Sequence, residues 1–331
     1  MTTTIPNPEW HEAAAAIREA KTIVIVTHVS PDGDAIGSAL GMANALRELG
    51  KSVTVADDDG VPESLTWLPG SDTIVTQLTE GRWDVMISTD ASDEARTGNV
   101  GTYARANSLR VINLDHHVTN TLFGDIFLVM PAAVSSTEIV YHWFTQTGIA
   151  INRDVAVPLL TGLVTDTIGF RISLVSALTL SIAQALMQAG ASLTEVTART
   201  LDSRSYQSVQ LWKYSLPSVN LDGQVIYGIV RLDDAKRANM DEVSDAGLAS
   251  FLIQVREAMV SIIFKEQPNN CVEISMRSKT GYDISEVAFQ VGGGGHKQAA
   301  GATVPGTIEA VMALVLPKLH EVTAKGTLKI S

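Results

Sequence analysis

Short β-branched runs that end in titratable residues recur through the first half of the chain, with helix-compatible stretches between them. Thr22–Thr27 (TIVIVT) reads as a buried strand. His28-Val-Ser-Pro-Asp-Gly-Asp34 follows, and then Ile36–Leu49, whose apolar positions Ile36, Leu40, Ala43, Leu46 and Leu49 suit a helix closed by Gly50. Ser52–Ala56, Asp84–Thr89 and Arg110–Leu114 are further strand candidates, and Ser135–Phe144 and Val155–Val164 read as helices. Strands alternating with helices predict a doubly wound, mainly parallel α/β sheet. In such sheets ligands gather at the carboxyl ends of the strands.

Four chain segments deliver carboxylates or imidazoles to that edge. The first strand runs into His28, Asp32 and Asp34, the strand at Asp84–Thr89 into Asp90, and the strand at Arg110–Leu114 into Asp115, His116 and His117. Asp166 follows the apolar stretch Val157–Val164 in Thr165-Asp-Thr-Ile-Gly-Phe170. Taken singly, Asp32 and Asp34 read equally well as punctuation of a strand-to-helix turn. Taken together, carboxylates converging on one crevice repel one another, so a positive charge belongs among them. Four aspartates with two histidines suit six-coordinate Mn²⁺ or Mg²⁺ better than a closed zinc site. Six ligands exceed what one ion that also holds water needs. They fit two ions about 3.5–4 Å apart sharing a carboxylate, as in phosphoester hydrolysis. The chain has neither a GxxxxGK[ST] loop nor a GxGxxG turn after its first strand, which argues against a P-loop NTPase and a dinucleotide-binding domain.

Composition narrows the classes further. The 331 residues suggest about two domains, and 45% hydrophobic with 18% charged residues is enough apolar material for sizeable cores. Twenty-four Lys plus Arg against 36 Asp plus Glu give a net charge of −12, which disfavours binding of a long duplex through a broad basic face. No apolar run reaches the roughly 18 residues of a membrane span, and no membrane association is expected. Pro8–Ala20 reads as a surface helix rather than a signal peptide, and Cys271, the single cysteine, as buried and inert. A cytoplasmic protein is expected.

In order and context, His28-x-x-x-Asp32-x-Asp34, Asp90, Asp115-His116-His117 and Asp166 resemble the four motifs of the DHH phosphoesterase superfamily. Gly292-Gly293-Gly294-Gly295-His296, running through Lys297 to Ala299-Ala300-Gly301, resembles the signature of the DHH-associated C-terminal domain. Within the superfamily the chain is most similar to the bacterial nano-RNase/pAp phosphatase group. The resemblance implies that His28 and Asp32 bind one metal, and Asp34, His116 and Asp166 the other, with Asp90 bridging. It implies that Asp115 orients His116, that His117 faces the substrate phosphate, and that the cofactors are two divalent ions, Mn²⁺ with Mg²⁺ as the alternative. Thr-Asp-Thr-Ile-Gly-Phe departs from the family's frequent Thr-Asp-Thr-Gly-x-Phe, with the glycine one place late.

In the second half, 190–220 reads as a polar connector, followed by strand candidates at Gln224–Val230, Met259–Lys265 and Cys271–Arg277. The expected domains are therefore 1–189, carrying the metals, the connector 190–220, and 221–331, a smaller α/β substrate-binding domain, with a cleft between the two lobes. By composition alone Gly292–Gly295 is a flexible loop, although backbone N–H groups in a glycine turn can also cradle an anion. By resemblance Arg277 contacts the substrate phosphate beside Gly294, Gly295 and His296, and Arg96 is a weaker candidate for such a contact. His11, His142 and His320 have no acidic companion in any motif and read as structural. The expected activity is metal-dependent hydrolysis of very short RNA or of 3′-phosphoadenosine 5′-phosphate (pAp). A linear or cyclic dinucleotide phosphodiesterase (pApA, cyclic di-AMP) and a non-catalytic nucleotide-binding regulator are the competing readings. The expected partner is a short RNA or small nucleotide, and the resemblance is compatible with a homodimer.

Overall fold

The computed structural model describes residues 8–327, apart from the side chain of His296. The chain divides into two compact units, Met1–Ser203 and Arg204–Ser331. The stretch 190–220 contributes to both: Val196 packs into the core of the first unit, and Leu211 into that of the second.

The first unit carries strands β1 (Thr22–Val26), β2 (Ser52–Ala56), β3 (Ile74–Val75), β4 (Trp83–Thr89), β5 (Ser108–Asp115) and β6 (Ile126–Val129). Its helices are α1 (Trp10–Glu19), α2 (Gly33–Glu48), α3 (Gly98–Ala106), α4 (Ser136–Thr147), α5 (Arg153–Asp166), α6 (Ala177–Gln188) and α7 (Leu193–Thr200). The sheet order is β3-β2-β1-β4-β5-β6, with every pairing parallel. Alternation along β1 explains its unbroken apolar run. Ile23 and Ile25 enter the main core with α2, α4 and α5, while Val24 and Val26 enter a second core under α3. The strand order reverses between β1 and β4, and this switch point is where a doubly wound sheet opens a crevice.

Helix α1 is more than a surface element. Ala13, Ala16 and Ile17 are buried against the main core, and Glu9 clips the chain to the edge strand β6. The Glu9 amide donates to the Phe127 carbonyl at 3.0 Å, and the Phe127 amide donates to the Glu9 carboxylate at 2.8 Å.

The contact between α2 and α5 has a specific cause. Gly33, Gly37 and Gly41 recur every four residues along one face of α2. A Cβ at Gly33 would lie 2.3 Å from Thr165 Oγ1, and one at Gly37 would lie 2.5 Å from the Pro158 carbonyl. From the α5 side, a Cβ at Gly162 would lie 2.7 Å from Asp34 Oδ1. Only glycine lets the two backbones approach this closely, and the approach sets the first turn of α2 beside the last turn of α5.

The second unit holds α8 (Tyr206–Ser215), β7 (Asn220–Asp222), β8 (Val225–Val230), α9 (Leu232–Arg237), α10 (Leu248–Leu252), β9 (Val260–Gln267) and β10 (Cys271–Ser278). It ends with α11 (Ser285–Gln290), β11 (Gly294–His296), β12 (Ala299–Pro305) and α12 (Ile308–Lys325). Its sheet order is β11-β12-β10-β9-β8-β7, antiparallel except for the parallel β8–β9 pair. Val272, Ile274 and Met276 of β10 face the core under α11 and α12. The glycine run is not simply a loop, because Gly294–His296 is an edge strand paired with β12. A Cβ at Gly293 would lie 2.1 Å from the Gly301 carbonyl, and one at Gly295, whose φ is +136°, would lie 2.5 Å from the Ala299 carbonyl. Cys271 is half-buried at the start of β10 rather than buried. Among the described residues, no helix is long and apolar enough to cross a membrane.

Candidate metal centre

The expected ligands meet at the carboxyl edge of the first sheet, around the switch point. His28 lies just beyond β1, Asp90 just beyond β4, and Asp115 ends β5 with His116 and His117 following it. Asp32 caps α2, its Oδ1 accepting the amides of Asp34 and Ala35 at 2.9 and 3.1 Å. The turn-punctuation reading of Asp32 therefore holds. Asp34 stands in the first turn of α2, and Asp166 is the last residue of α5.

Asp90 is buried and stands at the centre. Its Oδ2 lies 3.5 Å from His28 Nε2, and its Oδ1 lies 3.5 Å from His116 Nε2. His116 Nε2 in turn lies 3.5 Å from Asp166 Oδ2 and 4.0 Å from Asp34 Oδ2. Two groups with metal-ligating spacing result, His28–Asp32–Asp90 and Asp34–His116–Asp166. Among the described residues a third, Asp90–His116–His117, overlaps the first through Asp90 and the second through His116. Asp90 takes a φ of +60°, a left-handed conformation that Asp tolerates better than most residues.

Sequence reasoning missed the groups that hold these ligands. The N-terminus of α4 donates to two of them. The amides of Ser136 and Thr137 point at Asp34 Oδ2 and Oδ1, at 2.5 and 3.0 Å, and Ser136 Oγ donates to Asp90 Oδ1 at 2.9 Å. The signal was available as Ser135-x-x-Glu138 ahead of an apolar run, which marks a helix N-terminus and hence a set of inward-pointing donors. Asp59 plays a similar part for the first segment, its Oδ2 accepting the Ser30 amide at 2.6 Å. His28 Nδ1 pairs with the Val29 carbonyl at 2.9 Å, which puts its proton there and turns Nε2 toward Asp90.

One expected role is corrected. Asp115 does not orient His116. Its Oδ1 accepts from His117 Nδ1 at 2.7 Å, and its Oδ2 accepts from Asn120 Nδ2 at 2.6 Å. The two imidazoles lie side by side, ring centroids 4.6 Å apart, and His117 Nδ1 also comes within 3.7 Å of Asp90 Oδ1.

The electrostatics record how tightly the acids are packed. Burial, then the neighbouring Asp90, pushes Asp34 up to about 7, and burial with Asp34 and Asp90 pushes Asp166 up to about 9. Burial also raises Asp90. Burial opposes the charge on His28, but its contact with Asp90 prevails and holds it at about 9. Burial opposes the charge on His117 too, and the hydrogen bond to Asp115 outweighs it. Three carboxylates that resist ionising together, with imidazole nitrogens turned toward them, are a donor set that a divalent cation fits.

Arg96 lies on the same side of the first unit. Its carbonyl accepts the Val29 amide at 2.8 Å, and its charge is felt at His117. In the second unit, Arg277, Gly294 and Gly295 line a cavity of about 450 Å³ together with Ser275, Ala299 and Gly301. The Arg277 guanidinium donates to the Met276 carbonyl at 2.9 Å. The side chain of His296 lies outside the described residues. His142 and His320 do have acidic partners, Glu138 at 3.5 Å and Asp222 at 3.0 Å, but each of these ion pairs has a single carboxylate.

A doubly wound domain with an Asp/His cluster at its switch point, followed by a mixed-sheet domain, defines a phosphoesterase of the DHH type. Residues 22–163 match the model of the DHH family N-terminal domain, and residues 222–323 match the DHHA1 domain. The chain belongs to the DHH family and is a hydrolase of phosphoester bonds. It is 31% identical over 309 residues to the bifunctional oligoribonuclease and PAP phosphatase NrnA of Thermus thermophilus, covering 91% of each chain. The crystal structure of an exopolyphosphatase-related protein from Bacteroides fragilis is similar with a TM-score of 0.89 and 25% identity, over 95% of this chain and 96% of that one. RecJ of Thermus thermophilus in complex with Mn²⁺ shares the fold at a TM-score of 0.55 and 15% identity, over 100% of this chain and 57% of that one.

Proposed function

We propose that the protein hydrolyses very short oligoribonucleotides and pAp by two-metal activation of water. The observation that carries this reading is Asp90, whose two oxygens face imidazoles belonging to two different ligand groups. Likeness over nine-tenths of both chains to an oligoribonuclease and PAP phosphatase supports the substrate class. In this reading His28 and Asp32 hold one ion, Asp34, His116 and Asp166 the other, and Asp90 touches both. Bound there, divalent ions would lower the pKa of a water and neutralise charge on the phosphoryl oxygens.

The chain's own residues supply the rest. Ser136 and the amides of α4 hold Asp90 and Asp34 in the orientation that ligation needs. Asp115 keeps the proton of His117 on Nδ1, and the raised affinity of that imidazole for a second proton lets Nε2 donate to a phosphoryl or leaving oxygen. Arg96 adds positive charge beside His117. In the second unit Arg277, with Gly294, Gly295 and His296, contacts a phosphate of the nucleotide.

One panel tests the reading: pAp, di- to pentaribonucleotides, pApA, cyclic di-AMP and pyrophosphate, each with Mn²⁺, Mg²⁺, Zn²⁺ or excess EDTA. Turnover of pAp and the shortest RNAs, abolished by EDTA and restored best by Mn²⁺, is expected. Activity confined to cyclic di-AMP or pyrophosphate, or surviving EDTA, overturns it.

A further inference from the structure

Helix α5 ends directly on Asp166, and the way it ends is unusual. The Ile168 amide donates to the Thr165 carbonyl at 3.0 Å, and the Gly169 amide donates to the Val164 carbonyl at 2.8 Å. This pair of bonds is the Schellman closure, whose left-handed position is ordinarily glycine. Here that position is Ile168, with a φ of +51°, and the glycine stands one residue later. A β-branched residue in this region is a genuine outlier. Packing gives no compensation, because the Ile168 side chain is 53% exposed, whereas Phe170, also left-handed, packs against the core. Backbone strain kept beside a functional group points to a use for the side chain.

A second exposed aliphatic residue stands at the same distance in sequence from a residue of the cluster. Val118, 68% exposed, lies two residues beyond His116, as Ile168 lies two beyond Asp166, and His116 Nε2 is 3.5 Å from Asp166 Oδ2. We infer that Ile168, seconded by Val118, forms an apolar rim on the metal centre that holds the nucleobase or ribose face of the substrate next to the phosphate being cleaved. The inference rests on the nucleotide-hydrolase reading above and adds the residue that separates nucleotides from simpler phosphates.

The test uses Ile168→Gly and Ile168→Asn, both of which accept the left-handed turn and remove the apolar side chain. Each is compared with wild type for Tm, for bound Mn²⁺ and for turnover of pAp and of ribose 3′,5′-bisphosphate, which lacks the base. Both variants should gain in Tm and keep their metal. The ratio of kcat/KM for pAp to that for the base-free compound should fall roughly threefold to tenfold, the low end of what apolar contacts discriminate. A gain in Tm with an unchanged ratio overturns the inference, because the strain then serves no recognition. Equal loss on both substrates, or loss of metal, overturns it too, because Ile168 then acts through Asp166. If the wild type hydrolyses no nucleotide, the functional reading falls and takes this inference with it. If the wild type is active and the variants match it, only the inference falls.

Discussion

Asp115 Oδ1 accepts a hydrogen bond from His117 Nδ1 at 2.7 Å and thereby keeps a proton on that nitrogen of the imidazole. The pair distinguishes the two histidines of the triplet by their neighbours. His116 Nε2 faces Asp34, Asp90 and Asp166, while His117 Nδ1 bonds the carboxylate two residues before it and lies 3.7 Å from Asp90.

Asp115→Asn should therefore leave metal content intact and lower kcat roughly tenfold to hundredfold, the usual effect of losing a partner that orients an imidazole. The direction of the pH effect follows from the bond. Asp115 raises the pKa of His117, and a proton-donating His117 loses function as pH rises through that pKa. Without the carboxylate, the basic limb of the kcat profile should move to lower pH. A profile that keeps its limb while kcat falls would contradict the assignment.

Asp90→Asn tests the shared ligand. Asparagine accepts the left-handed φ and can keep a bond to Ser136, so the variant should fold. It should bind neither ion tightly and turn over nothing. Two ions per folded chain, counted by metal analysis after gel filtration, would refute the bridging role.

Gly162→Ala removes no ligand. Alanine ordinarily strengthens a helix interior by about 1 kcal/mol. Here its Cβ would lie 2.4 Å from Thr137 Cγ2 and 2.7 Å from Asp34 Oδ1. A loss of about tenfold in Mn²⁺ affinity is expected by calorimetry, together with a lower Tm. An ordinary gain in stability with unchanged affinity would show that the seam is not what positions Asp34.

The metal-free protein should lose stability as pH rises. In the folded state Asp34 and Asp166 keep protons up to about 7 and about 9, against 3.8 for an ordinary Asp, so the folded chain binds more protons than the unfolded one across that window. His28, held at about 9 against 6.5, adds to the same trend. Thermal unfolding in EDTA should give a lower Tm at pH 9 than at pH 6. Saturating Mn²⁺ should reverse the order, because ligation requires the ionised carboxylates. A flat profile in EDTA would mean that the acids are not crowded as described.

The strands that carry ligands were legible because a doubly wound sheet buries both faces of β1, β4 and β5, and uninterrupted β-branched runs have few other uses. The Asp and His residues that gather at the sheet edge were legible because each run ends abruptly in them. The partner of Asp115 was not legible, because the triplet as sequence does not say which of its two imidazoles bends back to the carboxylate. Gly292–Gly295 was read as loop on composition, which registers the absence of side chains but not that Gly293, Gly295 and Gly301 are bare so that backbones can come together. The spacing of Gly33, Gly37 and Gly41 along the α2 seam holds as much information as the helix's apolar positions Ile36, Leu40 and Leu46, because it marks the face on which another helix comes close.

That seam has a consequence for how such a protein can change. Gly33, Gly37, Gly41 and Gly162 offer no ligand atom, yet the close approach they allow sets the start of α2, which carries Asp34, against α5, which ends on Asp166. The spacing of the site is thus kept partly in residues that carry no side chain. A lineage that exchanged one of these glycines for alanine would alter which ions fit while every ligand in its alignment stayed the same, and a survey of ligand residues alone would record no difference.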